Sequence, residues 1–290
     1  MQIIDAISEV PGVNIIGIRG KMQNGFQCQI YETEKEKSLS AWAAEVSMQL
    51  LDKNDVSQDE LGIIINASIS LYDTTSLRNT SAPGLGHAVQ KYLNAKNAFV
   101  FEMFHNDLGN MIKIASDFLL NSKNKYALII QSNKFSDFLK DDKNGFCIPD
   151  GVNALLLKSS NNKIELENIH ILSSEISKAS LSFNTGNEEA LKKENIFRLN
   201  WNYSPSFVKA INSELKSIFS KLKEQQTPVI TEKWFPEHLS SHETENTLAM
   251  NTIPWHLQEN KQLKEQSLTM VSYNPFLAQY SVLKITNDKI

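Results

Sequence analysis

Four short stretches constrain the fold most. They are LGIIINASI (Leu61–Ile69), the strand-like run Asn97–Phe104, YALIIQS (Tyr126–Ser132) and DGVNALLLK (Asp150–Lys158). A strand with one wet face alternates apolar and polar residues. A nearly unbroken apolar run means that both faces are covered. Helical spacing separates these runs in HAVQKYLNA and again from Leu108 to Leu120. Strands alternating with helices predict an α/β protein with a mainly parallel sheet. Upstream, SLSAWAAEVSMQLL (Ser38–Leu51) places Trp42, Val46 and Leu50 on one helical face, with Ser38 or Ser40 able to cap it. Residues 2–30 hold short apolar runs broken by Pro11, Gly12, Gly20 and Gly25, as two or three strands with turns would.

The pattern then starts again. The polar turn SSNNKIE puts a boundary at Lys158–Lys163 and divides the chain into halves 1–160 and 161–290. Two consecutive strands without a helix near 146–172 suggest that the first half ends in a hairpin. The second half reads as strands at Lys163–Ser173 and Lys178–Phe183, then a long amphipathic helix at Pro205–Glu224. A strand (Pro228–Lys233), a helix (Thr247–Lys264) and strands at Leu268–Tyr273 and Ala278–Thr286 follow. The element order echoes the first half without any letter-level repeat.

A formal charge of −4 argues against nucleic acid or an anionic membrane surface as partner. No apolar run reaches the length of about 18 residues that crosses a bilayer. The opening MQIIDAISEVPGV lacks the basic and apolar regions of a secretion signal. With only Cys28 and Cys147, a disulfide framework is not expected, and a cytoplasmic location is. The acidic stretch DKNDVSQDE at 52–60 lacks the glycine and the bidentate glutamate of a calcium loop. His238 and His242 stand four apart in PEHLSSHE, but without the Glu placement of a zinc protease, so a solvated loop is expected. Neither a metal nor a cofactor is expected, since no phosphate-binding glycine motif follows a strand.

Four segments resemble the ketoacyl-synthase-III branch of the thiolase fold. AWAAEVSMQLL with its acidic loop and LGIIINASIS is similar to that family's helix and strand ending in small polar residues. RNTSAPGLGHAVQKYLNAKNAFVFEM is similar to its Pro-containing turn, short helix and interface strand. DLGNMIKIASDFLLNSKNKYALIIQSNKFS is similar to its nucleophile-bearing helix and next strand. IPDGVNALLLK is similar to its hairpin. The resemblance implies two pseudo-repeated βαβαβαββ halves in a layered αβαβα arrangement.

In active members a Cys begins the nucleophile helix, and a His and an Asn from the second half polarise the second thioester. The matching stretch here is HNDLG (105–109), which keeps Gly109 and has Asp107 at the Cys position. A thiolate forms a thioester; a carboxylate would form a mixed anhydride, uphill and prone to hydrolysis. Asp at a helix start is also a preferred N-cap. Glu232 or Lys233 falls at the His position, and Asn246 matches the Asn. The resemblance therefore implies a degenerate, non-catalytic subunit of a heterodimeric or heterotetrameric condensing enzyme of bacterial secondary metabolism. Such a chain is inactive alone and supports a Cys-bearing homologue. That partner takes acyl-CoA or an acyl carrier protein and makes an alkylquinolone-type or polyketide-type product. The interface candidates are Phe99, Phe101, Met103, Phe104 and His105. Two alternatives stay open: Cys-independent acyl transfer or thioester hydrolysis by Asp107 with His105, and a homodimeric acyl-binding module.

Overall fold

The structure is a computed structural model. It describes residues 1–9, 15–21, 27–31, 38–68, 84–103, 107–133, 150–170, 180–183, 197–200, 227–231, 252–274 and 279–287, with single residues inside 213–222. Strand β1 (Gln2–Glu9) is followed by a two-stranded ribbon, β2 (Ile15–Lys21) and β3 (Gln27–Tyr31). Then come α1 (Leu39–Lys53), β4 (Leu61–Ala67), α2 (Leu85–Leu93), β5 (Phe99–Met103), α3 (Leu108–Leu120), β6 (Tyr126–Asn133) and β7 (Gly151–Lys158). The remainder holds β8 (Lys163–His170), the pair β9 (Ser180–Phe183) and β10 (Phe197–Asn200), β11 (Val229–Thr231), α4 (Thr252–Glu259), β12 (Leu268–Asn274) and β13 (Gln279–Thr286).

Two sheets carry the fold, in the orders β1-β7-β6-β4-β5 and β11-β12-β13-β8. Their pairings repeat. In the first, β4 runs parallel to β6, β6 antiparallel to β7, and β7 antiparallel to β1. In the second, β11 runs parallel to β12, β12 antiparallel to β13, and β13 antiparallel to β8. The duplication that the element order suggested is thus a repeated hydrogen-bonding pattern.

Two expectations are corrected. The first sheet is mixed rather than mainly parallel, because β7 runs against both of its neighbours. The consecutive strands β7 and β8 do not form a hairpin: β7 lies in the first sheet and β8 pairs with β13 in the second. Residues 159–162 therefore cross from one sheet to the other. Both strands carry the short-range signature of a hairpin, but their sheets offer each a better-matched neighbour.

The continuous apolar runs have the burial they implied. In β4, Ile63 and Ile65 face one core and Ile64 the other, and β6 and β7 divide in the same way. One core lies between the first sheet and the layer of α1 and α2. Ser38 caps α1, accepting from the Ala41 N–H at 3.3 Å, and Trp42, Val46 and Leu50 are fully enclosed there. The other core lies between the two sheets and contains α3, through Met111, Ile112, Ala115 and Leu119, and α4, through Ile253 and Leu257. Helix α3 thus touches strands of both sheets. Helical residues within 213–222, with Ile218 and Leu222 buried, fall inside the long helix expected at Pro205–Glu224. No helix of the described residues is long and apolar enough to cross a membrane.

Candidate functional site

The central helix α3 begins where the resemblance places a nucleophile. Asp107 is its N-cap, in extended conformation, and its side chain is completely buried. Its Oδ1 accepts from the Asn110 backbone N–H at 3.1 Å, as an N-cap should. The same oxygen accepts from the Ser281 hydroxyl at 2.5 Å and the Ser272 hydroxyl at 3.2 Å. Its Oδ2 accepts from the Asn110 side-chain amide at 2.6 Å. The two serine oxygens lie 2.6 Å apart, and Ser272 also accepts from the Gly109 N–H at 3.2 Å. Asn110 and Asn168 exchange amide hydrogen bonds at 3.3 Å.

The second sheet supplies this arrangement by register. Ser272 pairs with Ser281 across β12 and β13, and Ser281 pairs with Asn168 across β13 and β8. The three form a polar row on the face whose other residues, such as Met270, Leu283 and Leu166, belong to the apolar core. Helix α3 lays its first turn on that row. Gly109 makes the close approach possible: a Cβ there would stand 2.5 Å from Ser281 Oγ and 3.1 Å from Ser281 Cβ. Gly109→Ala should therefore destabilise the fold by about 1–3 kcal/mol, as overpacking does. Ser281 cannot turn away without leaving Asp107. A denaturation midpoint equal to that of the wild type would show that the contact relaxes freely.

This site is built to hold an anion, and it holds its own. A buried carboxylate with four donors directed at it is well stabilised. It has no exposed oxygen with which to meet a thioester carbonyl. Of the other sequence candidates, Cys28 lies in β3, paired across the β2–β3 ribbon with Gly20, and not at the start of α3. Phe104, His105, Cys147, Glu232, Lys233, His238, His242 and Asn246 lie outside the described residues. The structure brings Asp107 together instead with Asn110, Ser272 and Ser281, which the sequence reading missed. Their signal was present: each serine interrupts the buried face of an otherwise apolar strand in LTMVSYN and QYSVLKIT.

A second feature lies on the edge of the first sheet. Among the described residues, strand β5 pairs only with β4. Phe99 and Phe101 are 56% and 38% exposed, while Met103 packs on the core between the sheets. The Phe99 ring stacks on Phe118 of α3 with centroids 5.8 Å apart. On the opposite face of β5, Glu102 accepts from the Gly86 N–H at 2.8 Å, capping α2, whose N-cap Gly84 makes no side-chain bond. Glu102 also lies 3.4 Å from His87 Nδ1 and from the Asn66 amide. Two other outer strands are managed differently. Strand β1 lies against α4, and β8 carries Lys163, Glu165 and Glu167. Charges of that kind blunt an edge, whereas no described strand lies beyond FVFEM and its two phenylalanines are exposed.

No family model matches the chain. Across its whole length it superposes on the tetronic acid condensing enzyme AbyA1, with a TM-score of 0.72, 11% identity, and 99% of this chain and 100% of that one covered. The priming β-ketosynthase of the R1128 polyketide pathway gives a TM-score of 0.70 at 12% identity, covering 100% and 97%. The 3-oxoacyl-[acyl-carrier-protein] synthase III of Aquifex aeolicus VF5 gives 0.66 at 14%, covering 99% of each. The chain has the thiolase-like fold of the 3-oxoacyl synthases III. Its sequence also resembles that of a specific subunit. Over 110 residues it is 26% identical to the 2-heptyl-4(1H)-quinolone synthase subunit PqsB of Pseudomonas aeruginosa. That stretch is 38% of this chain and 39% of PqsB, so the match spans well under half of the relative's length. The chain thus has the fold of the synthase III enzymes, and a part of its sequence is similar to PqsB.

Proposed function

We propose that the chain is a non-catalytic subunit of a condensing enzyme, built of halves 1–160 and 161–290, and that a Cys-bearing homologue carries the acyl group. One observation supports this most directly: the residue that starts the central helix is Asp107, and its carboxylate is fully buried under Ser272, Ser281 and Asn110. Condensation needs a nucleophile that can reach an acyl thioester and hold the acyl group as an ester of comparable energy. A carboxylate enclosed in this way does neither. The same burial weighs against acyl transfer by Asp107 with His105. Glu232 or Lys233 at the family's His position, with Asn246 alone retained, completes the degenerate set in this reading.

The partner surface is the edge of β5, where Phe99 and Phe101 are exposed and where β4 is the strand's one neighbour among the described residues. In this reading Met103 and, next in the sequence, Phe104 and His105 belong to the same interface. PqsB carries the name of a synthase subunit, which agrees with an assembly of unlike chains. The acyl donor, acyl-CoA or an acyl carrier protein, would meet the partner's thiol, and this chain would complete the assembly around that site in the cytoplasm. The test is direct. The purified chain, incubated with acyl-CoA, should show no acyl adduct by intact-mass spectrometry, whereas the co-expressed pair should show one on the partner alone. A stable adduct on this chain overturns the reading.

A further inference from the structure

The cluster at the start of α3 has a second consequence, independent of whether the chain catalyses anything. Asp107 precedes a helix of the first sheet's connections, yet two of its hydrogen-bonding side chains come from β12 and β13 of the second sheet. Both serines are at most 1% exposed. Without a carboxylate there, one serine hydroxyl could still donate to the other, but the second hydroxyl and the Asn110 N–H would lose their acceptor. Leaving buried donors unpaired is costly, more so where the lost acceptor was charged. Helix polarity adds to this, because the positive end of α3 points at the same spot.

We propose that this cluster is a carboxylate-binding seat occupied by the chain's own Asp107, and that its occupancy fastens the two sheets together. The seat addresses a carboxylate with four hydrogen bonds. The Asn110 N–H and the Ser281 hydroxyl address one oxygen, with Ser272 as a further contact, and the Asn110 amide addresses the other. Gly109 lets the donors close around it. Asn168, through Asn110, extends the contact to β8. A small free carboxylate such as formate fits the same donors once the side chain is cut back. The N-cap itself is a minor part of the effect, since replacing Asp by Gly at a cap costs only a few tenths of a kcal/mol.

Urea unfolding of the full chain tests this with Asp107→Asn, Asp107→Gly and formate as the probe. Asp107→Asn keeps the shape and a good cap but loses the charge-assisted bonds. Its folded-to-unfolded ratio should fall at least about tenfold. Asp107→Gly should fall further, and formate should restore part of the loss in a saturable way, while chloride at equal ionic strength does not and the wild type does not respond. Asp107→Asn within about twofold of the wild type overturns the proposal, and so does formate acting equally on wild type and Asp107→Gly. Should Asp107→Gly not fold, Ser281→Ala combined with Asp107→Asn decides instead. The two losses should be strongly non-additive, as for groups in one network. Additive losses overturn the proposal.

Discussion

Replacing Phe101 with lysine is expected to leave the chain folded while weakening its association with a Cys-bearing partner by about a hundredfold or more, the loss typical of an interface hot spot. The argument rests on where the residue stands. Phe101 is 38% exposed on a strand whose outer edge has no partner in the described fold. A lysine there keeps its charge in water in the isolated chain, so stability changes little. In a paired assembly the same charge would lie against a second strand, buried and without a partner, which is strongly unfavourable. Lysine on edge strands is one of the devices by which proteins refuse pairing. Co-expression of this chain with a Cys-bearing thiolase-fold homologue from the same genome, followed by native mass spectrometry and sedimentation velocity, reads the outcome. The pair should form with the wild type and separate with Phe101→Lys. An undiminished complex would mean that the association uses another surface. Self-association of the wild type alone, lost in the variant, would favour the homodimeric alternative.

How much of this was legible beforehand follows from range. The two-sided strands, the helices with a single apolar stripe, and the Asp107 N-cap are local properties, and the sequence shows them directly. The hairpin expectation at 146–172 failed because strand pairing is decided by partners far away in the chain. Lys158 meets Gln2 on one side and Tyr126 on the other, while Lys163 meets Thr286. The site failed to show itself for the same reason. Ser272 and Ser281 are unremarkable polar residues in two late strands until register and the close approach at Gly109 bring them under α3. Even so, a serine on the buried face of an apolar strand is a demand for a partner. Two such residues nine positions apart in adjoining strands could have been read as a pair awaiting one. Glu102 is a similar case: only the fold reveals that a carboxylate on the edge strand caps a helix that begins with glycine.

A second long-range tie, at the opposite edge of the first sheet, carries the largest expected effect on stability. Asp5 of β1 is 4% exposed and sits at an irregularity in the pairing of β1 with β7. Lys264 meets it at 2.5 Å and Lys53, at the end of α1, at 2.7 Å. The Ala6 N–H donates to the same carboxylate at 2.9 Å. Burial pushes the Asp5 carboxyl up, but the hydrogen bonds from Lys264, Lys53 and the Ala6 N–H outweigh it and hold its pKa at about 2. A carboxyl depressed in this way stabilises the folded state fully above its unfolded pKa of about 4, and that contribution is lost as pH falls toward 2. It amounts to about 2 kcal/mol at neutral pH. Removing the carboxylate costs more than its own contribution, because the Lys264 side chain is only 8% exposed and its ammonium would remain buried without a counter-charge. Asp5→Ala should therefore destabilise the fold by about 3–5 kcal/mol at pH 7. Asp5→Ala with Lys264→Met should recover part of that loss, since an apolar pair of similar volume leaves no charge stranded. Urea titrations of the three proteins at pH 7 and pH 3 separate this from simple loss of packing. The gap between wild type and Asp5→Ala should narrow at the lower pH, where Asp5 of the unfolded chain is already mostly protonated while the folded one is not. A gap independent of pH would mean that the ion triad contributes by shape alone. Because Lys264 follows α4, between the strands of the second sheet, while Asp5 and Lys53 belong to the first sheet and its outer layer, the triad does at one edge what Asp107 does at the centre. It ties the edge strand of the first sheet to the segment that leads into β12 of the second.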